Sequence, residues 1–286
     1  MTRELRRLLI EPARLAAAAV GDAGAVGDAG AALVALRAEE RHYLERVLRY
    51  RVGARLAVVD GAGGLWTARL AAGGWLQLEQ PVAAPLERCG APHPELLLAL
   101  AVPKREVELV WRMATELGAD HLQPLVAERC VRLGTPPLER WRAVVREASE
   151  QCERLWLPAL EPALPAAPWL VQALAGSATV GSAAVGSPAV GLLATTRRGE
   201  LPGVAAALSG EGTRLAGDSP LRRVCLAIGP EGGWSEAEEA AAEAAGWLPV
   251  SLGETILRSA TAAVAGMAAL ASWRSLSSSS FPAPSP

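Results

Sequence analysis

Two segments of the 286-residue chain combine residue types and spacing suited to holding a small polar ligand. The first is Cys225-Leu226-Ala227-Ile228-Gly229-Pro230-Glu231-Gly232-Gly233-Trp234-Ser235. An apolar strand runs into glycines, which let backbone approach a ligand closely, and then into a helix start marked by Ser235 with Glu238 three residues on. Such a start at a strand end presents unpaired N–H groups to an anion or polar ligand. The loop lacks the third glycine of the dinucleotide fingerprint and the lysine of the phosphate loop, so it indicates neither nucleotide site. A plain tight turn is the alternative on these residues alone. The second segment is Ser251-Leu252-Gly253-Glu254-Thr255-Ile256-Leu257-Arg258-Ser259-Ala260-Thr261-Ala262. A strand again ends at a glycine, and Arg258 then opens a helix where a cation opposes the helix dipole, which points to a task for that charge.

Other reactive groups are scattered. Cys89, Cys130, Cys152 and Cys225 include no C-x-x-C pair, and His42, His93 and His121 have no metal-ligand spacing, so neither a disulfide framework nor a metal site is expected.

The elements that must position the two segments belong to a carboxyl-terminal region of alternating strands and helices. Strands are expected at Leu96 to Val102, His121 to Val126, Val190 to Ala194, Val224 to Ile228 and Leu248 to Leu252, with helices at Glu106 to Leu117 and Leu138 to Leu155. This pattern means an α/β domain with a mainly parallel sheet, whose ligands gather at the carboxyl ends of strands. From Ala260 the last helix is small and apolar all round, which calls for deep burial or a subunit interface. Pro92 and Pro94 form a linker to an amino-terminal region, where strands at Leu5 to Ile10, Arg55 to Val59, Trp66 to Leu70 and Trp75 to Leu78 surround a helix at Glu39 to Leu48. That spacing suggests a small barrel of the RNA-binding kind. The expected organisation is 1–90 for the barrel, with a flexible insert at 21–30, 91–274 for the α/β domain, with a flexible insert at 176–191, and a disordered tail at 275–286.

With 28 Lys+Arg against 30 Asp+Glu the chain is not a generally basic nucleic-acid coat. The average hides a gradient, because the first 55 residues hold ten arginines against seven acids. Lys104 is the only lysine, so the other 27 cations are arginines, a bias that composition of the genome alone can produce. Mean hydropathy is +0.21, yet no apolar run reaches the roughly 20 residues of a membrane span, and Glu11 and Arg14 interrupt any signal-peptide core, so a cytoplasmic protein is expected.

Ile228-Gly229-Pro230-Glu231-Gly232-Gly233 followed by Leu252-Gly253-x-x-Ile256-Leu257-Arg258 resembles the paired signature of the RsmE family, SPOUT-class methyltransferases that modify uridine N3 in the 16S ribosomal RNA of the small subunit. The resemblance extends through Thr115-Glu116-Leu117-Gly118, Glu128-Arg129-Cys130, Glu147-Ala148-Ser149-Glu150-Gln151-Cys152, Arg6-Arg7-Leu8-Leu9 and Val47-Leu48-Arg49. It implies an amino-terminal PUA-like β-barrel, a trefoil-knotted SPOUT α/β domain, a homodimer, and S-adenosylmethionine as methyl donor without a metal. Carried over, the cofactor set is Leu226, Ile228, Gly229, Gly232, Gly233, Ser251, Leu252, Gly253, Ile256, Leu257 and Thr261. The family's second signature usually has an arginine and a glutamate where this chain has Thr255 and Ala260, which argues against a mechanism with that carboxylate as sole base.

Uracil N3 carries a proton and a lone pair delocalised into two carbonyls. Arg258 is therefore the candidate to stabilise charge on the carbonyl oxygens, with anchoring of an RNA phosphate or of Glu231 as the other reading. Glu231 is expected to orient its loop or take a proton. Arg7, Arg49, Arg129 and Arg154 are candidate rRNA contacts, with ordinary salt bridges as the other reading for each. The competing functions are a non-catalytic RNA-binding protein that dimerises through a SPOUT-like domain, and a SPOUT methyltransferase with a different RNA target.

Overall fold

The computed structural model describes residues 5–20, 32–131, 137–174, 189–196, 198–209 and 221–278. The chain divides into two compact units, one of residues 1–91 with 149–157, the other of 92–148 with 158–286. The expected insert at 21–30 and most of that at 176–191 lie outside the described residues.

In the first unit β1 (Arg7–Leu9), α1 (Pro12–Val20), β2 (Leu33–Ala35), α2 (Ala38–His42), a π-helical turn (Tyr43–Val47), β3 (Arg55–Val59), β4 (Gly64–Ala71), β5 (Trp75–Leu78) and β6 (Glu87–Arg88) follow in order. The sheet runs β1-β3-β4-β5-β2, with β6 on β4; only β1 and β3 pair in parallel. Leu8, Ile10, Leu56, Val58, Trp66, Leu70 and Leu76 fill its core. Asp60 closes the β3–β4 turn by accepting the Ala62 N–H at 2.7 Å and the Gly64 N–H at 2.8 Å, the local bonding that makes Asp-Gly a turn signal. The segment 149–157 joins this unit through Glu150, whose carboxylate accepts the Leu9 N–H at 2.8 Å, and through Leu155, whose carbonyl accepts the Gly63 N–H at 2.9 Å.

The second unit contains β7 (Glu95–Ala101), α3 (Val107–Glu116), β8 (His121–Val126), α4 (Leu138–Gln151, whose last three residues belong to the first unit), β9 (Ala159–Leu160), β10 (Leu164–Pro165), α5 (Ala166–Gln172), β11 (Ala189–Ala194), α6 (Val204–Ser209), β12 (Arg223–Ile228), α7 (Glu236–Ala244), β13 (Leu248–Val250) and α8 (Ser259–Ser278). Its sheet is ordered β10-β8-β7-β12-β11-β13, with β9 on β8, and every pairing is parallel. Successive residues of β7 serve opposite faces. Leu96, Leu98 and Leu100 pack with α3, α4, α6 and α8, while Leu97, Ala99 and Ala101 pack with α5 and α7. Burial on both faces is why these strands read as unbroken apolar runs.

Several boundaries differ from the expected ones. β11 begins at Ala189, inside the stretch expected as an insert, because Gly191 lies directly against Trp247; a Cβ there would sit 2.7 Å from the indole. α4 stops at Gln151, and Glu153 follows with φ at 62°, a left-handed conformation that ends the run. α8 continues to Ser278, so the expected disordered tail starts at least four residues too early. α8 is also buried on one face only, at Ala263, Gly266, Met267 and Leu270.

At the amino ends of the strands, Arg223 of β12 donates to Glu95 of β7 at 2.5 and 2.9 Å, and Nε2 of His121 of β8 lies 3.3 Å from the same carboxylate. The His121 contact, aided by Arg223 and opposed by burial, lowers the Glu95 carboxyl from 4.5 to about 2. A carboxylate depressed in the fold contributes stability that is complete above its unfolded value and lost as pH falls through the folded one. Glu95→Gln should therefore lower unfolding stability by about 2 kcal/mol near neutrality, a figure discounted for solvent screening at this one-third-exposed side chain. The deficit against the parent should shrink between about pH 4.5 and pH 2 in urea melts.

Candidate functional site

β12 and β13 both flank β11, so the loops that leave their carboxyl ends meet at the end of β11. Trp234 is buried and donates its indole N–H to the carbonyl of Ala194 at 3.2 Å, tying the Gly229–Ser235 loop to that end. A Cβ on Gly229 would lie 3.2 Å from the same indole, so glycine is what lets the tryptophan settle over the backbone. On the other side the Thr195 N–H donates to the carbonyl of Val250 at 3.2 Å, and the Ser251 N–H donates to that of Pro202 at 2.9 Å.

The loop after β12 is held from three directions. Arg129 donates to the carbonyls of Gly232 at 3.2 Å and Trp234 at 2.9 Å. Glu231 accepts the Lys104 N–H at 3.2 Å, joining the loops that follow β7 and β12. Ser235 and Glu238 form the expected capping box, with the Glu238 N–H donating to Ser235 Oγ at 3.3 Å and the Ser235 N–H to the Glu238 carboxylate at 2.9 Å. The other oxygen of Glu238 accepts the Glu128 N–H at 2.9 Å. Glu238 is thus a buried side chain with a backbone N–H on each carboxyl oxygen, the pairing that a polar group away from water requires.

Gly233, with φ at 71°, donates to the carbonyl of Pro230 at 2.8 Å and closes a tight turn. Gly253 has φ at 139° and lies in a turn made by Ser251, whose hydroxyl accepts the Gly253 N–H at 3.2 Å. A Cβ on Gly233 or Gly253 would meet nothing within 4 Å, so both stretches of backbone face open space. Beneath them the floor is apolar. Leu226 and Ile228 are buried in the core, and the side chains of Leu226 and Leu252 converge on Gly266 of α8, where a Cβ would lie 2.4 and 3.5 Å from them.

The structure therefore brings together Leu226, Ile228, Gly229, Gly232, Gly233, Ser251, Leu252 and Gly253 around the carboxyl ends of β11, β12 and β13. Ile256, Arg258 and Thr261 are exposed along the approach to α8 and its first turn, with Leu257 half-buried between them. The Arg258 carbonyl accepts the Ala262 N–H at 2.8 Å, while its guanidinium pairs with no carboxylate among the described residues. Glu231, as the tie to Lys104, is a loop-forming group in this arrangement. Sequence reasoning missed the parts played by Trp234, Thr195 and the Lys104 amide. An aromatic residue directly after a glycine pair was the one available signal for Trp234.

Two of the thiols, Cys225 and Cys130, are poor nucleophiles. Burial pushes Cys225 up to about 12, and burial likewise raises Cys130. Among the described residues no three His, Cys, Asp or Glu side chains gather as a metal site, and no helix is long and apolar enough to cross a membrane.

The candidate RNA contacts separate clearly. Arg7 is largely buried and donates to the carbonyl of Glu153 and, at 3.1 Å, to its carboxylate. Arg154 donates to the carbonyl of Trp156 at 3.1 Å, and Arg129 braces the glycine loop. Arg49 and Arg129 are both exposed, but Arg129 is taken up by the glycine loop, whereas Arg49 extends from a backbone with φ at 58° beside the exposed Arg46 and Arg51.

Comparison with known proteins converges on one family. The RNA methyltransferase domain family matches residues 91–271, and the PUA domain of RNA methyltransferases matches residues 36–74. The chain is 39% identical over 241 residues to ribosomal RNA small subunit methyltransferase E of Synechocystis sp., covering 83% of this chain and 72% of that protein. It is 33% identical over 252 residues to the protein of the same name from Mycobacterium bovis, covering 84% and 86%. Among solved structures, ribosomal RNA small subunit methyltransferase E from Neisseria gonorrhoeae bound to S-adenosyl methionine superposes with a TM-score of 0.67 at 23% identity, covering 94% of this chain and 98% of that one. A putative methyltransferase from Legionella pneumophila in complex with the same cofactor gives 0.69 at 23% identity, with the same coverage. These two likenesses establish the fold, and the two family matches assign its parts, an RNA methyltransferase domain of α/β architecture preceded by a PUA domain.

Proposed function

The chain belongs to the ribosomal RNA small subunit methyltransferase E family, and from that premise we propose that it methylates N3 of a uridine in 16S ribosomal RNA, with S-adenosylmethionine as donor. The observation that carries this reading is the open, glycine-built backbone of Gly233 and Gly253 over the apolar floor at the end of β11, with the exposed Arg258 just beyond. This set fits the donor. Leu226, Ile228 and Leu252 provide an apolar base, and Gly232, Gly233, Ser251, Gly253 and Leu257 provide backbone that a bent ligand can approach. When bound, S-adenosylmethionine supplies a methyl group on a positively charged sulfur and requires no metal.

The rest of the chemistry falls to this chain. Uracil N3 must shed its proton to water as its lone pair becomes available, and the negative charge then rests on the ring carbonyl oxygens. Arg258 is placed to hold that charge, since no carboxylate occupies its guanidinium. Ala260 offers no carboxylate and one oxygen of Glu231 accepts the Lys104 N–H, so the proposed mechanism rests on stabilisation of the anion by Arg258. The target is presented within the small ribosomal subunit, in the cytoplasm, and the enzyme that meets it is a homodimer. Val264, Ala265, Ala268 and Ala271 on the uncovered side of α8 give a second copy a surface of small side chains.

Mass spectrometry of small-subunit rRNA from a deletion strain tests the proposal. One 3-methyluridine should disappear and return on complementation; an unchanged modification profile would sink it.

Arg49 supports the RNA-contacting half of the reading. A left-handed backbone costs an L-residue about 1–2 kcal/mol, a cost glycine avoids. Arg49→Gly should therefore keep or raise the thermal midpoint while weakening binding to small-subunit particles. Unchanged particle affinity would show that the strained arginine makes no RNA contact.

A further inference from the structure

We infer that Lys104 is a substrate-contacting cation of the methyl-transfer site, which meets an anionic oxygen of the target nucleotide as a point charge that arginine does not replace. The inference rests on the function proposed above. Lys104 is the one lysine among 28 Lys+Arg, so wherever else the chain needs a cation it uses arginine. The exception lies at the carboxyl end of β7, three residues past Ala101, and its backbone N–H is fixed by Glu231 of the glycine loop. Glu106, two residues on, has φ at 67° with no side-chain bond to cap α3, so the backbone is strained where it bends away behind Lys104.

The fate of arginines elsewhere in the structure shows why lysine suits this place. Where a carboxylate is within reach, the guanidinium closes on it, as in Arg14–Glu40, Arg55–Glu79 and Arg198–Glu243. An arginine at 104 would have the Glu231 carboxylate beside it, and a forked pairing there would take both the cation and the carboxylate from their places. The exposed Lys104 ammonium forms no ion pair among the described residues, as expected of a compact, strongly hydrated charge on a flexible stem. It is left available for an oxygen that carries negative charge, either a phosphate of the target nucleotide or a carbonyl oxygen of its deprotonated ring.

The test compares the parent protein with Lys104→Arg and Lys104→Met on small-subunit particles. Both variants should lose about tenfold or more in kcat/KM for particles, with the calorimetric affinity for S-adenosylmethionine and the unfolding midpoint unchanged. A loss in KM, with the salt slope of particle binding reduced by about one in Lys104→Met, identifies a phosphate oxygen. A loss in kcat that varies with pH identifies a ring oxygen. Lys104→Arg within about twofold of the parent overturns the inference, as does an equal loss of cofactor affinity. A parent that leaves particles unmethylated overturns the proposed function itself, whereas an active parent with an active Lys104→Arg overturns only this inference.

Discussion

Arg258→Ala should reduce methylation of small-subunit particles by about 10²- to 10³-fold, the scale on which loss of one donor to a developing oxyanion acts. Binding of S-adenosylmethionine should persist, because the glycine loops and apolar floor that fit it do not use the Arg258 side chain. Folding should also be spared. The guanidinium is exposed, it pairs with no carboxylate among the described residues, and a cation just ahead of the first turn of α8 opposes the helix dipole. Removing it therefore leaves the thermal midpoint at or slightly above that of the parent. Arg258→Lys should recover part of the rate, since the charge returns without the two-pronged donor. The decisive combination is rate and cofactor affinity measured on the same preparation. Unchanged methylation with intact cofactor binding would leave Arg258 as an RNA anchor at most.

What the sequence disclosed, and what it hid, follows from the range of the forces involved. β3, β5 and β8 match their expected bounds residue for residue because each is an apolar run punctuated by turn residues, a purely local signal. The helix expected at Glu39 to Leu48 is really α2 followed by a π turn, a one-residue slip that periodicity does not register. α1 and β2 went unread because alanine-rich, nearly featureless sequence surrounds them. The allegiance of residues 149–157 to the amino-terminal unit depends on bonds such as Leu9 to Glu150, which join residues 141 apart. At the site, the glycines and the capping box were legible as motifs. The ties of Glu231 to Lys104 and of Arg129 to Gly232 were not, since they exist only because β8, β7 and β12 lie side by side.

Arg274→Ala should lower unfolding stability by about 3 kcal/mol without lowering methylation per folded molecule. Arg274 lies toward the end of α8 opposite Arg258, and its Nη1 donates to Asp120 at 2.5 Å. Its Nη2 donates to the carbonyl of Gly118 at 2.9 Å, where a Cβ would intrude to 2.7 Å, so the left-handed glycine that ends α3 is also the seat of the guanidinium. The Asp120 carboxylate also accepts the Leu96 N–H at 2.9 Å and is only 7% exposed. Deleting the arginine strands a buried carboxylate beside the first strand of the parallel sheet, and the penalty is mostly that of the uncompensated charge. Asp120→Asn in the Arg274→Ala background should then recover stability, because the amide removes the charge while keeping an acceptor for Leu96. Urea melts of the two single variants and the double variant give the coupling directly. If Arg274→Ala costs less than about 0.5 kcal/mol, the clamp is an ordinary surface ion pair and α8 is held by its apolar face alone.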